Sequence, residues 1–243
     1  LLKEKTWVFS TWDYTTMYLI EGEDKAVLID TGTRCADLDK IVGQITGKPL
    51  EVIVTHMHPD HAGCIKYFDK VWMHRADTVL VPQHAADYQG EFLYMEEGQV
   101  FDLGGRKLEV AWMPGHTPGS VVLLDKANGD CYSGDAFGSG EVWLQCVPMS
   151  PIATFHESCC RMEKLMKEGH IKDIWCGHYP YLKSSLPLAY IQTMIRISHR
   201  LMNGDQEGSE PYSNYFIKMP PTARKLAEGR AMIVYDSTNI PEA

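Results

Sequence analysis

The chain has 243 residues, 44% hydrophobic and 23% charged, with a formal net charge of −9 and a pI near 5.5. That length buries an ample core, as one large domain or two small ones. The acidity argues against nucleic-acid binding, which rests on Lys and Arg neutralising phosphates, and no apolar run approaches the roughly 20 residues that span a bilayer.

The first residue is Leu, which reads as processing or trimming and leaves a removed signal peptide open. The seven cysteines are odd in number and form no C-x-x-C pair. They read as free thiols, which places the chain in the cytoplasm ahead of an exported location.

In chain order, short apolar runs at 6–9, 17–20 and 26–29 predict strands, with Gly22 and Asp24 turning the last two into a hairpin. Leu38, Ile41, Val42 and Ile45 share one face of a helix over 37–45. A buried strand over 51–55 is followed by a short helix over 62–68 and a strand over 71–73. Further strands are expected at 107–113, 120–124, 130–133 and 173–176, and helices at 155–167 and 186–202. A polar loop over 204–213 precedes a last strand at 231–235. The pattern supports an α/β class of sheets layered with helices.

The dense feature is Thr55-His56-Met57-His58-Pro59-Asp60-His61 on a strand exit. In extended chain, positions i and i+2 point the same way, so His56 and His58 can grip one ion. Pro59 stops the strand and turns the chain, so Asp60 and His61 reach a second point nearby. Imidazole and carboxylate suit Zn²⁺, and also Fe or Mn. Packing these groups together without a metal is costly.

H-x-H-x-D-H resembles the signature of the metallo-β-lactamase fold superfamily, and other landmarks follow in order. Asp30-Thr31-Gly32 is similar to the family's D-T-G turn. Gly115-His116-Thr117-Pro118-Gly119-Ser120 is similar to the segment with the third histidine. Ser133-Gly134-Asp135 and Cys176-Gly177-His178 are similar to the segments with the bridging Asp and the final ligand. The resemblance implies an αββα four-layer sandwich over 1–243, with 183–243 as a helical extension plus final strand. It implies that His56, His58 and His116 hold one metal, that Asp60, His61 and His178 hold a second, and that Asp135 bridges both. Asp30 would hold the His loop from behind. Asp60 would also orient a metal-bridging hydroxide, the nucleophile. The implied cofactor is two divalent ions, zinc first, iron or manganese as alternatives.

His74, His84, His156, His170 and His199 read as surface or hydrogen-bonded structural residues, as do Cys176 and the Cys159-Cys160 pair as buried ones. The segment 136–154, with Phe137 and Trp143, reads either as a pocket wall or lid or as an ordinary packed loop. Trp12, Tyr14, Tyr179 and Tyr181 are further candidates to line a pocket or donate to an oxyanion.

Fold does not fix function. The resemblance points to the hydroxyacylglutathione hydrolase and lactonase branch, because Asp135 stands where β-lactamases of this fold do not usually place a bridging Asp. His58 in place of a carboxylate argues against a diiron reductase. The expectation is hydrolysis of a small-molecule thioester, lactone or related ester, with no nucleic-acid or membrane partner. A β-lactam hydrolase, a phosphodiesterase and a non-catalytic metal-binding effector or sensor are the alternatives, and oligomeric state is left open.

Overall fold

A computed structural model describes residues 1–214 and 217–241. The first sheet has the order β1-β2-β3-β4-β5-β6, comprising β1 (Thr6–Ser10), β2 (Thr16–Glu21), β3 (Ala26–Ile29), β4 (Leu50–Ile53), β5 (Lys70–His74) and β6 (Glu91–Met95). β1 to β3 form an antiparallel meander; β3 to β6 pair in parallel. The second sheet contains β7 (Val100–Asp102), β8 (Lys107–Trp112), β9 (Val121–Asp125) and β10 (Asp130–Gly134). After β11 (Glu141–Trp143) comes β12 (Asp173–Cys176), which closes that sheet in the order β12-β10-β9-β8-β7.

Alternation along the strands builds the layers. Tyr18 and Ile20 of β2 pack against Leu108 and Val110 of β8 and Val121 and Leu123 of β9, so these residues fill the space between the two sheets. Their neighbours Met17 and Leu19 face the other way, onto α1 (Leu38–Gly43) through Leu38 and Val42. On the far side of the second sheet, Val122, Leu124, Cys131 and Ile174 meet Phe155, Cys159 and Met162 of α4 (Ile152–Lys167). The same cluster takes Ile191, Met194 and Ile197 of the long C-terminal helix Leu188–Met202. Period-two burial on both faces of a strand is the mark of a sheet covered on both sides, and the result is the expected αββα sandwich.

Three short helices matter for the site or its rim: α2 (Pro59–Ala62), α3 (Val81–His84) and α5 (Tyr179–Leu182); the C-terminal helix is α6. The helix expected over 62–68 in fact begins at Pro59, a residue pre-set for the first helical position, and only a 3₁₀ turn, Ile65–Tyr67, follows. The tail is richer than a helix and one strand. Strands β13 (Glu210–Pro211), β14 (Ala223–Glu228) and β15 (Ala231–Asp236) join β11 in a third sheet, ordered β11-β15-β14-β13. The polar run Ala-Arg-Lys-Leu-Ala-Glu of β14 conceals its strand character, because only Ala223 and Leu226 of it are buried. β13 lies inside the segment expected to be loop. β6, β7 and β11 are too short, or too evenly apolar, to show alternation.

Candidate metal centre

The ends of β3, β4, β10 and β12 converge on one rim of the sandwich. There the ligand atoms of His56, His58 and His116 lie within 4.8 Å of one another, and so do those of Asp60, His61, Asp135 and His178. In the second group His61 Nε2 is 3.5 Å from Asp60 Oδ2 and 3.6 Å from Asp135 Oδ2. His178 Nε2 is 3.5 Å from Asp60 Oδ2 and 3.2 Å from Asp135 Oδ2. Ligands about 2.0–2.2 Å from a tetrahedral ion are roughly 3.4 Å apart, so these spacings already match its edges. In the first group His58 Nδ1 faces His116 Nε2 at 2.9 Å, which requires a proton or a cation between the two lone pairs. Asp135 Oδ2 lies 3.9 Å from His116 Nε2, so this carboxylate adjoins both groups.

Three of the imidazoles are turned by a partner behind them. His61 Nδ1–H donates to Asp30 Oδ2 at 2.8 Å. Thr55 Oγ1 donates to the same oxygen at 2.9 Å and faces His56 Nδ1 at 3.1 Å. His116 Nδ1–H donates to the Trp143 carbonyl at 2.7 Å. These bonds leave Nε2 of His56 and His116 as bare acceptors aimed inward, and turn His61 Nε2 toward Asp60 and Asp135. Asp30 occupies a left-handed backbone position, φ 62°, and accepts from the Thr55 amide at 2.7 Å. It therefore joins the end of β3 to the His loop, where the resemblance placed it.

A metal fits these residues. His56 Nε2, His61 Nε2 and Asp135 Oδ1 are buried without a hydrogen-bond partner, a costly state for polar atoms that face no cation. A Cβ on Gly177 would run into Asp135 Oδ1, and would come within 2.6 Å of His61 Cε1; glycine keeps that space open.

The charge states of the two groups differ. Burial, then His61, His116 and His58, press His56 well below the ordinary imidazole range. Burial and His116 bring His58 to about 3, and burial lowers His116. Burial would also lower His178, but Asp135 and Asp60 outweigh it and raise it to about 10. His61 is likewise raised, by Asp60, Asp135 and Asp30 against burial. Burial opposes ionisation of Asp60 and Asp135, yet His61 and His178 hold both below the usual carboxylate range.

The proposed pocket residues divide. Trp12, Tyr14 and Tyr181 are 60%, 51% and 60% exposed, with Tyr14 and Tyr181 rings 5.2 Å apart and Tyr181 5.9 Å from the His178 ring. Tyr14 and Tyr181 thus stand beside the second group, while the Trp12 ring lies under the Arg34 guanidinium. Tyr179 instead leans on Trp175 of the inter-sheet core. Phe137 corrects the expectation: it is wholly buried in the core with α4 and α6 and lines no cleft. The 136–154 segment is partly strand, and its Trp143 serves the site through a backbone carbonyl rather than its ring.

Sequence reasoning missed Asp77. Wholly buried in the 3₁₀ turn after β5, it accepts from the Met57 amide at 2.9 Å, Thr117 Oγ1 at 2.9 Å and the Gly119 amide at 2.6 Å. It thus ties the His56–His58 loop to the His116 loop. Nothing in its sequence neighbourhood marks it. His84, read as a surface or structural residue, has its ring 5.9 Å from that of His58. Cys146 lies in the field of Asp135 and Asp60, although burial is the first cause of its thiol being pushed up to about 12. His74 stacks on Trp112 and His170 faces Glu168, both structural. Cys176 and Cys159 are buried, and Cys160 is half-buried.

Comparison with known proteins agrees with this geometry. The family model described as the metallo-beta-lactamase superfamily matches residues 10–145, more than half of the chain. The acyl-coenzyme A thioesterase MBLAC2 of Homo sapiens is 25% identical over 210 residues, covering 70% of this chain and 75% of its own length. A hydroxyacylglutathione hydrolase of Francisella philomiragia is 24% identical over 191 residues, covering 76% and 73%. Among solved structures, TTHA1623 in a di-iron-bound form superposes with a TM-score of 0.61 at 26% identity, covering 75% of this chain and 95% of that one. The metallo-beta-lactamase family protein TTHA1429 of Thermus thermophilus has a TM-score of 0.61 at 17% identity, covering 84% and 82%, a likeness of fold alone.

Proposed function

The chain belongs to the metallo-beta-lactamase superfamily, and from that membership we propose that it is a binuclear metallohydrolase of small-molecule thioesters, with lactones and related esters as secondary substrates. The observation that carries the reading is the complete ligand set in two adjoining groups, with Asp135 facing both. The thioester preference is supported by relatives named for acyl-coenzyme A thioesterase and hydroxyacylglutathione hydrolase activity, both acting on acyl groups carried by a thiol. Zinc suits the imidazole-rich first group; the di-iron form of TTHA1623 makes iron the specific second reading.

His56, His58 and His116 would hold one ion, and Asp60, His61 and His178 the other, with Asp135 between them. When bound, such a pair supplies Lewis acidity that activates water near neutral pH and polarises the scissile carbonyl. The chain's own residues do the rest. Asp30 and Trp143 fix the rings, so no reorganisation is needed during reaction. Asp60 orients the attacking water. The exposed rings of Tyr14 and Tyr181 form a wall on which an acyl chain or its carrier can rest beside His178. The acidic surface offers little to a polyanion such as RNA.

Steady-state kinetics on matched thioesters, lactones, β-lactams and RNA test the reading. The expected result is the highest kcat/KM on a thioester. A β-lactam or RNA turned over better than every thioester and lactone would refute the substrate class while leaving the metal centre standing.

A further inference from the structure

Away from the rim, α4 and α6 bring together a second set of soft ligands that hydrolysis does not use. His156 and Cys160 are one helical turn apart on α4, a spacing that places side chains on the same face. Their ligand atoms are already opposed, with Cys160 Sγ 3.5 Å from His156 Nε2. A thiolate sulfur at ~2.3 Å and an imidazole nitrogen at ~2.0–2.1 Å from a tetrahedral ion are about 3.6 Å apart. The pair therefore has the edge length of such a site before any ion arrives.

The imidazole is also oriented for the task. His156 Nδ1 faces Ser198 Oγ of α6 at 2.9 Å. Ser198 Oγ has the Met194 carbonyl at 2.7 Å and the Ile195 carbonyl at 3.1 Å to receive its own proton. The serine therefore accepts from His156 Nδ1–H, which leaves Nε2 as the bare acceptor directed at Cys160. This is the outer bond that characterises ligating histidines. A third donor is next to it on α6: the exposed His199 ring lies 6.0 Å from that of His156, and surface rotamers exchange in picoseconds to nanoseconds. Burial, then Glu163 and Glu157, raise the Cys160 thiol, and the two carboxylates add negative charge on that side, Glu163 sharing its own with Lys167.

We propose that His156, Cys160 and His199 form a third metal site, for a single borderline-to-soft divalent ion such as Zn²⁺ or Co²⁺, that fastens α4 to α6. Binding converts the Cys160 thiol to a thiolate with release of one proton to solvent; His199 turns inward, and water completes the tetrahedron. The site is independent of the hydrolytic centre, whose two ligand groups contain no cysteine.

Co²⁺ titration of the holoprotein, its binuclear centre loaded, tests this. The expected result is one further equivalent accompanied by a thiolate-to-cobalt charge-transfer absorption. Cys160→Ser should abolish the absorption and the extra equivalent without changing hydrolysis. His156→Ala and His199→Ala should each weaken binding by on the order of tenfold or more. Cys35→Ser and Cys146→Ser, which alter the other half-buried thiols, should leave the signal intact. No third equivalent, or no thiolate absorption in the parent protein, overturns the proposal. So does a signal that survives Cys160→Ser and disappears with Cys146→Ser, or affinity indifferent to His199→Ala.

Discussion

The three-histidine group and the carboxylate-bearing group face the same Asp135, yet they solve opposite electrostatic problems. His56, His58 and His116 crowd one another in a buried pocket and are driven to the neutral form. They present bare lone pairs and can accept a cation without first losing protons. Asp60 and Asp135 instead stay ionised by keeping His61 and His178 protonated. That group is a salt-bridged cluster in which protons stand in for an ion, and metal must displace them. The first group is poised for metal; the second is stable without it.

The largest effect expected from breaking this arrangement comes from Asp135, the carboxylate common to both. Asp135→Ala should abolish measurable hydrolysis, a loss beyond the roughly 10²–10³-fold scale for removal of one preorganised electrostatic element, and reduce bound metal to one ion or fewer by elemental analysis. Asp60→Ala should abolish measurable hydrolysis while sparing the first ion, because only the second group contains it. His74→Ala and His170→Ala should stay within about twofold of the parent. A folded Asp60→Ala protein with near-parental turnover would show the role to be misassigned.

Next in size are the residues behind the ligands, which separate the two groups. Asp30 holds His61 and Thr55; Asp77 holds the loops of His58 and His116. Metal affinity should fall about 10–100-fold in each alanine variant. Competition against a chelator should show the second ion weakened most in Asp30→Ala, where His61 loses its direct partner and His56 is loosened only through Thr55, and the first in Asp77→Ala. Loss of the same ion from both variants would mean that the two groups are not separately supported.

That contrast also explains what was legible in the sequence. Asp30 could be read because it sits in a D-T-G turn ahead of the His cluster. Asp77 could not, because its task is to accept three hydrogen bonds across a gap that only the folded chain creates. The ligands were visible because metal chemistry demands particular residue types at tight spacing, as in His56 to His61. The layering of sheets with helices could be read from apolar strand runs such as β2 and β9, buried on both faces, while the αββα order came from the family resemblance. The third sheet escaped notice because β14 is polar and β11 spans three residues. Phe137 misled for a related reason: an aromatic beside a ligand can line a pocket or fill a core, and only its packing against α4 and α6 decides.

The smallest predicted effect is the most specific, and concerns protein stripped of metal. His178 is raised to about 10 and His61 is raised with it. A raised imidazole adds stability that is fully present below its unfolded value, near 6.5, and is lost as pH climbs toward 10. His56, His58 and His116 are lowered, so below about 6.5 the unfolded chain takes up protons that the folded chain refuses, and stability falls as pH drops. Asp60 and Asp135, also lowered, add to this acid limb only below their unfolded value near 3.8. The metal-free protein should therefore show its highest Tm near pH 6.5, with a decline on either side. His178→Gln should flatten the alkaline limb and His58→Gln the upper part of the acid limb. Loading with metal should remove the alkaline limb, because the ion replaces the protons that were being lost. Thermal melts from pH 4 to 9.5, with and without chelator, would reveal this, and metal-free protein whose Tm rises steadily from pH 6.5 to 9.5 would contradict the opposed charge states of the two groups.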